Sequence, residues 1–239
     1  MRKIIHALMW LKRGLLKDYS QNIKIFNLLE KKIGINKNQN IKMLDIGSHS
    51  GSWTMPFCKY YKKSESICFE AYEYYYDVFR ILIKFFPFYK ISCHNYAVLD
   101  QETIVNINYK DKISNKLLTG MNFVSKKHNN SYFSKKIHSI SIDNFKDLNL
   151  DNLKYIKIDI EGGELLALNG SINIIKKYRP IIIFEFYGKF AKRFNYSFND
   201  IRVFFDSINF QIYSIIDLKL LKFEKNHLLN ERNFYAISK

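Results

Sequence analysis

Cysteine is scarce in this chain: only Cys58, Cys68 and Cys93 occur among 239 residues, and no two stand in C-x-x-C spacing. An odd number without that spacing excludes a disulfide framework and the common zinc sites, and it fits a reducing compartment. A cytoplasmic location is the expectation. No apolar run approaches the roughly 20 residues needed to span a bilayer. The stretch from Met1 to Lys17 carries basic residues around Ile4–Leu11, but its apolar run is short, contains His6 and lacks a small-residue cleavage site. It does not read as a secretory leader. Prolines number three and glycines nine, and no linker or internal repeat divides the sequence. One α/β catalytic domain over 37–239, preceded by a helical appendage over 1–36, is expected.

Acidic residues are also few, 22 against 38 Lys and Arg, for a net charge of +16. Such a balance suits an anionic partner: nucleic acid, lipid headgroups or a phosphorylated metabolite. The accompanying richness in Ile, Asn and Lys is what a biased base composition would produce with no partner at all. That reading is preferred to nucleic acid, and a phosphate-bearing substrate is compatible with both. Ile4, Leu8, Leu11 and Leu15 recur at helical spacing, so an amphipathic helix is expected to pack on the core. Contact with a membrane surface is the alternative for that helix.

What the chain does have is an alternation of apolar runs and helical patterns. Strands are expected at Ile41–Ile46, Ser66–Glu70 and Ile91–Ala97, with helices at Trp53–Tyr61 and Tyr74–Phe86, the latter ended by Pro87. This βαβαβ order implies right-handed crossovers and a parallel sheet. Thr103–Tyr109 alternates like an added antiparallel strand. Residues 111–136 read as a long polar, basic loop, and His138–Ile142 resumes a strand. Tyr155–Ile160 is a buried-type strand, followed by a helix over Glu164–Tyr178 that Pro180 stops, then a strand over Ile181–Phe186. Ser197 is a candidate N-cap. Gln211–Ile216 and Phe234–Ile237 suggest an antiparallel edge. The fold class expected is a doubly wound, mostly parallel seven-stranded sheet.

The chemistry gathers at strand ends. Leu44-Asp45-Ile46-Gly47-Ser48-His49-Ser50-Gly51 follows a strand and opens a helix, where α/β sheets bind ligands. Gly47 and Gly51 permit a tight turn and close approach of a ligand. The spacing is G-x-x-x-G rather than the G-x-G-x-x-G of a pyrophosphate-binding turn. Asp45, ahead of the first glycine, can accept hydrogen bonds or face a positive charge. Glu70 ends the second strand, placed to accept ribose hydroxyls, with Glu73 the nearby alternative. The second cluster is Lys157-Ile158-Asp159-Ile160-Glu161-Gly162-Gly163-Glu164, whose acids project toward the same crevice. Glu164 is assigned to the first helical turn, and Asp159 and Glu161 to function.

These motifs, together with Ile142-Asp143-Asn144-Phe145 and Ile181-Ile182-Ile183-Phe184-Glu185, resemble the FkbM-type methyltransferases over about Met43 to Phe186. The chain departs from the family's common pattern in having Glu70-Ala71 for E-P and Gly47-Ser48-His49 for G-A-N or G-A-H. The resemblance implies a class I methyltransferase sheet, S-adenosylmethionine as donor and a sugar or secondary-metabolite hydroxyl as acceptor. The expected donor site is Asp45, Gly47, Gly51, Thr54, Glu70 and Asn95.

For the chemistry, Glu161 or Asp159 is expected as a general base, or as a ligand with Glu185 of a divalent cation. His49 is a rival base and His94 a weaker one. Lys126, Lys127, Lys135 and Lys136 are expected either to attract the phosphates of a nucleotide-linked sugar or only to keep a solvated loop soluble. An RNA-modifying methyltransferase is the alternative, but the many aromatic residues lie mostly in apolar segments, and the chain has no N-P-P-Y or D-P-P-Y tetrapeptide.

Overall fold

The computed structural model describes residues 2–13, 19–118, 120–125, 129–146, 148–229 and 231–239, with the side chains of 10–13 and 19 excepted. Its helices are α1 (Arg2–Arg13), α2 (Tyr19–Ile33), α3 (Thr54–Tyr60), α4 (Glu73–Ile83), α5 (Glu164–Asn169), α6 (Ile172–Tyr178), α7 (Gly188–Ala191) and α8 (Phe198–Ser207). The larger sheet contains β1 (Ile41–Ile46), β2 (Ser64–Phe69), β3 (Lys90–His94), β8 (Leu153–Ile158), β9 (Ile181–Glu185), β10 (Phe210–Ile216), β11 (Lys219–Lys222) and β12 (Asn233–Ser238). A smaller sheet joins β4 (Ala97–Val98), β5 (Thr103–Asp111), β6 (Phe123–Ser125) and β7 (Tyr132–Ile140).

The larger sheet runs β11-β10-β12-β9-β8-β1-β2-β3. Strands β9, β8, β1, β2 and β3 pair parallel, while β12 pairs antiparallel with both β9 and β10. The doubly wound fold with an antiparallel edge is therefore present. The expected count of seven strands falls one short, because the four-residue β11 adds to the edge.

Burial on both faces explains why the central strands are mostly apolar. Leu44, Ile46, Ile156, Ile158, Ile182 and Phe184 pack on one face with Leu168 of α5, Ile175 of α6 and Phe205 of α8. Met43, Tyr155, Ile181 and Ile183 pack on the other with Phe26 and Leu29 of α2 and Phe57 of α3. A parallel strand covered on both faces has no polar side to alternate with.

Helix α1 lies against α4, pairing Lys3 with Asp77 and setting His6 beside Tyr74 and Tyr75. Among its described side chains Ala7 is the buried one, whereas Ile4 and Leu8 are exposed, so these two residues of the expected apolar stripe do not form the packing face. The Leu11 side chain and Leu15 lie outside the described residues.

Two other expectations are corrected. The segment 111–136 is not one long loop, since it holds β6 and the first half of β7. The helix expected over Glu164–Tyr178 is two, broken at Gly170 and Ser171. The second is capped from outside: the Asp143 carboxylate accepts the N–H groups of Asn173 at 2.9 Å and Ile174 at 3.0 Å. These are the free donors that any helix start must satisfy. Ser197 forms a capping box with Asp200 at the start of α8, as its position suggests.

Candidate functional site

The turn after β1 and the acids after β8 meet because Gly47 allows it. Gly47 has φ +83°, and a Cβ there would lie 1.9 Å from the Asp159 carbonyl oxygen. The Asp159 N–H donates to the Ile46 carbonyl at 2.9 Å, so the two strand ends are joined by backbone. Between them lies a cavity of about 300 Å³. Of the expected residues, Gly47, His49, Glu70, Asp159, Glu161 and Glu185 line it.

Others stand behind the wall. Asp45 is buried and accepts a hydrogen bond from Thr54 Oγ1, and burial raises its pKa to about 6 despite that bond and Lys157. Asn95 Nδ2 donates to the carbonyls of Glu70 and Ala71, fixing the end of β2. Gly51, at φ +80°, packs on Phe79. His94 stacks on Phe69 with ring centroids 5.2 Å apart and does not reach the cavity.

Glu70 is held by two backbone donors, His49 N–H to Oε2 and Tyr72 N–H to Oε1, each at 2.8 Å. Burial outweighs these bonds and raises its pKa to about 7. Glu73 is instead exposed and paired with Lys135 at 2.8 Å. His49 has φ +50°, bonds Ser50 Oγ through Nδ1 at 2.7 Å, and packs its ring on Tyr75 at 3.7 Å between centroids. Burial lowers its pKa to about 4, which leaves a neutral imidazole with little appetite for a proton.

At the other wall the three acids are not equivalent. Lys157, fully buried over the Trp53 ring, places Nζ 3.1 Å from Asp159 Oδ2. Glu164 accepts the N–H groups of Ile160 and Gly162 and the Tyr196 hydroxyl, so it builds the turn, consistent with its assignment to the helix start. Glu161 has φ +58°, and its Oε2 is buried with no hydrogen-bond partner. Burial first, then the charges of Glu185 and Asp159, raise the Glu161 pKa to about 9. Glu185 is pushed up to about 8 by burial and then by Asp159. Carboxylate oxygens of Asp159, Glu161 and Glu185 lie within 4.8 Å of one another.

The cavity thus has four carboxylates on its wall and, among the described residues, no Lys or Arg. Its remaining wall is largely apolar, with Phe69, Tyr75 and Tyr96 from around the main sheet and Val98, Ile107 and Val124 from the small one. Tyr75, Tyr96, Gly120 and Asn122 were not anticipated from sequence; Tyr75 stands in an aromatic-rich helix that reads as core, and Tyr96 near the end of an expected strand. Lys157 belongs to an expected motif, but its pairing with Asp159 has no local signature.

Among solved structures, the chain is similar to methyltransferase FkbM from Methylobacillus flagellatus KT, with 16% identity and a TM-score of 0.55 over 86% of this chain and 46% of that one. It thus spans less than half of that protein. Monomeric WbdD is 11% identical, with a TM-score of 0.48 over 92% of this chain and 40% of that one. TrmK of M. capricolum, solved with S-adenosyl-homocysteine, is 12% identical, with a TM-score of 0.41 over 84% and 62%. No curated protein matches the chain in sequence. The methyltransferase FkbM domain model matches residues 45–212, and the chain belongs to that family.

Proposed function

We propose that the chain is an S-adenosylmethionine-dependent O-methyltransferase acting on a hydroxyl of a sugar, nucleotide-linked or otherwise phosphate-bearing, in surface-polysaccharide or secondary-metabolite biosynthesis. The observation that carries this reading is the make-up of the cavity wall: four carboxyl groups and no Lys or Arg among the described lining residues. Three of the four have pKa values raised by burial, so that an entering cation draws them into the charged form. That wall favours a ligand bearing ammonium and sulfonium charges and repels a dinucleotide pyrophosphate. It equally disfavours threading an RNA backbone through the site.

S-adenosylmethionine bound there supplies a methyl group for in-line displacement by the acceptor oxygen. Glu70, braced by His49 and Tyr72 N–H groups, keeps lone pairs free for ribose hydroxyls. Asp45 and Thr54 shape the turn from behind. Asp159 is neutralised by Lys157 and orients the strand end. Glu161 has an unpartnered buried oxygen, so it is the group free to take the acceptor proton. Its raised pKa in the free chain falls when a cationic donor enters beside it.

A cation reading has one observation in its favour, the 4.8 Å grouping of Asp159, Glu161 and Glu185. Oxygen ligands at that spacing suit a divalent ion that would acidify the hydroxyl. Glu161→Gln tests the base role: binding of S-adenosylhomocysteine, which lacks the sulfonium charge, is retained while turnover falls by about 10²–10⁴-fold. Unchanged turnover removes Glu161 from the chemistry.

A further inference from the structure

An acidic cavity that welcomes a sulfonium leaves no place for the phosphates of the acceptor. Of the loop lysines, Lys135 is engaged by Glu73 at 2.8 Å, Lys126 and Lys127 lie outside the described residues, and Lys136 is exposed but lines neither this cavity nor the cleft beyond β9. A second cavity, of about 640 Å³, opens just beyond β9. Its wall includes Phe186, Tyr187, Lys189, Lys192 and Arg232, with Glu231 the single acid.

This cleft borders the acidic site. Glu185 lines the first cavity and its neighbour Phe186 lines the second. The Phe186 N–H donates to the Arg232 carbonyl at 2.8 Å, which fixes the far wall to the same strand end. The segment bearing Lys189 presses on the acidic turn, since a Cβ on Gly162 would lie 2.5 Å from the Phe190 carbonyl oxygen.

The charges of the cleft are unspent. Lys189, Lys192 and Arg232 are exposed, and the ion pairs among the described residues include none of them. The Arg232 guanidinium lies 4.5 Å over the Tyr187 ring. A guanidinium held against a ring makes no hydrogen bond to it through most of its N–H groups, which suit phosphate oxygens. Three cations around a concavity concentrate positive potential next to a negative cavity.

We propose that this cleft is the acceptor's phosphate subsite, where Lys189, Lys192 and Arg232 hold the phosphoryl groups of a sugar phosphate or nucleotide-linked sugar while its hydroxyl reaches Glu161. The proposal rests on the methyltransferase reading and adds where the acceptor's phosphates sit and how the acceptor is oriented.

The test is calorimetric titration of the full chain, first with S-adenosylhomocysteine, then with inorganic pyrophosphate or uridine diphosphate. The variant is Lys189→Gln with Lys192→Gln and Arg232→Gln; the charge-matched control is Lys59→Gln with Lys62→Gln and Lys63→Gln. Pyrophosphate affinity is expected to fall at least about tenfold in the first variant and to change little in the control, with S-adenosylhomocysteine affinity equal in all three proteins. Tighter binding of uridine diphosphate than of pyrophosphate assigns a nucleotide-linked sugar, and equal binding a sugar phosphate. Pyrophosphate that fails to bind, or binds the cleft variant as well as the wild type, overturns the subsite while leaving the donor reading intact. Failure of S-adenosylhomocysteine to bind the wild type overturns the donor reading itself.

Discussion

Gly47 and Asp159 approach so closely that a single methyl group on Gly47 would collide with the Asp159 carbonyl oxygen at 1.9 Å. The clash is between backbone and backbone, at a positive φ, so neither side can yield by changing a rotamer. Gly47→Ala is expected to cost about 2–3 kcal/mol, roughly 4–12 °C in Tm for a chain of this size. It also separates the two walls of the cavity. Thermal melts with and without S-adenosylhomocysteine measure both effects, and a wild-type melt with normal ligand stabilisation would refute the contact.

Glu161 carries a buried, unpartnered oxygen among like charges, and its pKa is raised to about 9. A raised carboxyl binds its proton more tightly in the folded chain than in the unfolded one. The stability it contributes is therefore full below about pH 4.5 and is lost as pH climbs toward 9. Glu161→Gln should raise the Tm of the ligand-free protein at pH 8–9 by a few degrees and leave it nearly unchanged at pH 4.5. Equal shifts at both pH values would show that Glu161 is not repelled by its neighbours.

With Glu161 as the proposed base, the same cluster would set the pH dependence of catalysis. A base must be deprotonated to act, and Glu161 and Glu185 lose their protons in the free chain near 9 and 8. The kcat/KM of the wild type should rise from pH 6 to 9 as the coupled acids ionise. The limb in kcat should lie at lower pH, because it reports the donor-loaded protein. A kcat/KM that is flat over this range would point to a base outside the cluster.

Chelation separates the two roles open to the acids. With Glu161 as base, turnover persists after treatment with ethylenediaminetetraacetate and dialysis. A loss of tenfold or more that magnesium or manganese restores would instead make Asp159, Glu161 and Glu185 cation ligands.

Much of this site was legible in the sequence because its parts are short motifs at strand ends. Asp45 to Gly51 and Asp159 to Glu161 each lie at the end of a mostly apolar strand, and the order of strands in a doubly wound sheet brings those ends together. What stayed hidden depends on distant partners. Lys157 reads as a strand residue until Trp53 and Asp159 are seen around it. The small sheet was obscured because β6 has three residues and β7 carries Lys135-Lys136 on a strand open to solvent, which reads as loop. The break between α5 and α6 depends on Asp143, some 30 residues upstream of the N–H groups it caps. The exposed Ile4 and Leu8 show the limit of periodicity: it detects a face but not whether that face is covered.

The most direct test is calorimetric titration of S-adenosylhomocysteine into the wild type, Glu70→Gln and Glu161→Gln. Glutamine at 70 turns an amide toward one of two backbone donors, at His49 or Tyr72, that the carboxylate now satisfies. One-to-one binding to the wild type, weakened about 10–100-fold in Glu70→Gln and preserved in Glu161→Gln, is the expected result. No binding to the wild type, or binding indifferent to Glu70, would contradict a donor site between the turn at Gly47 and the end of β2.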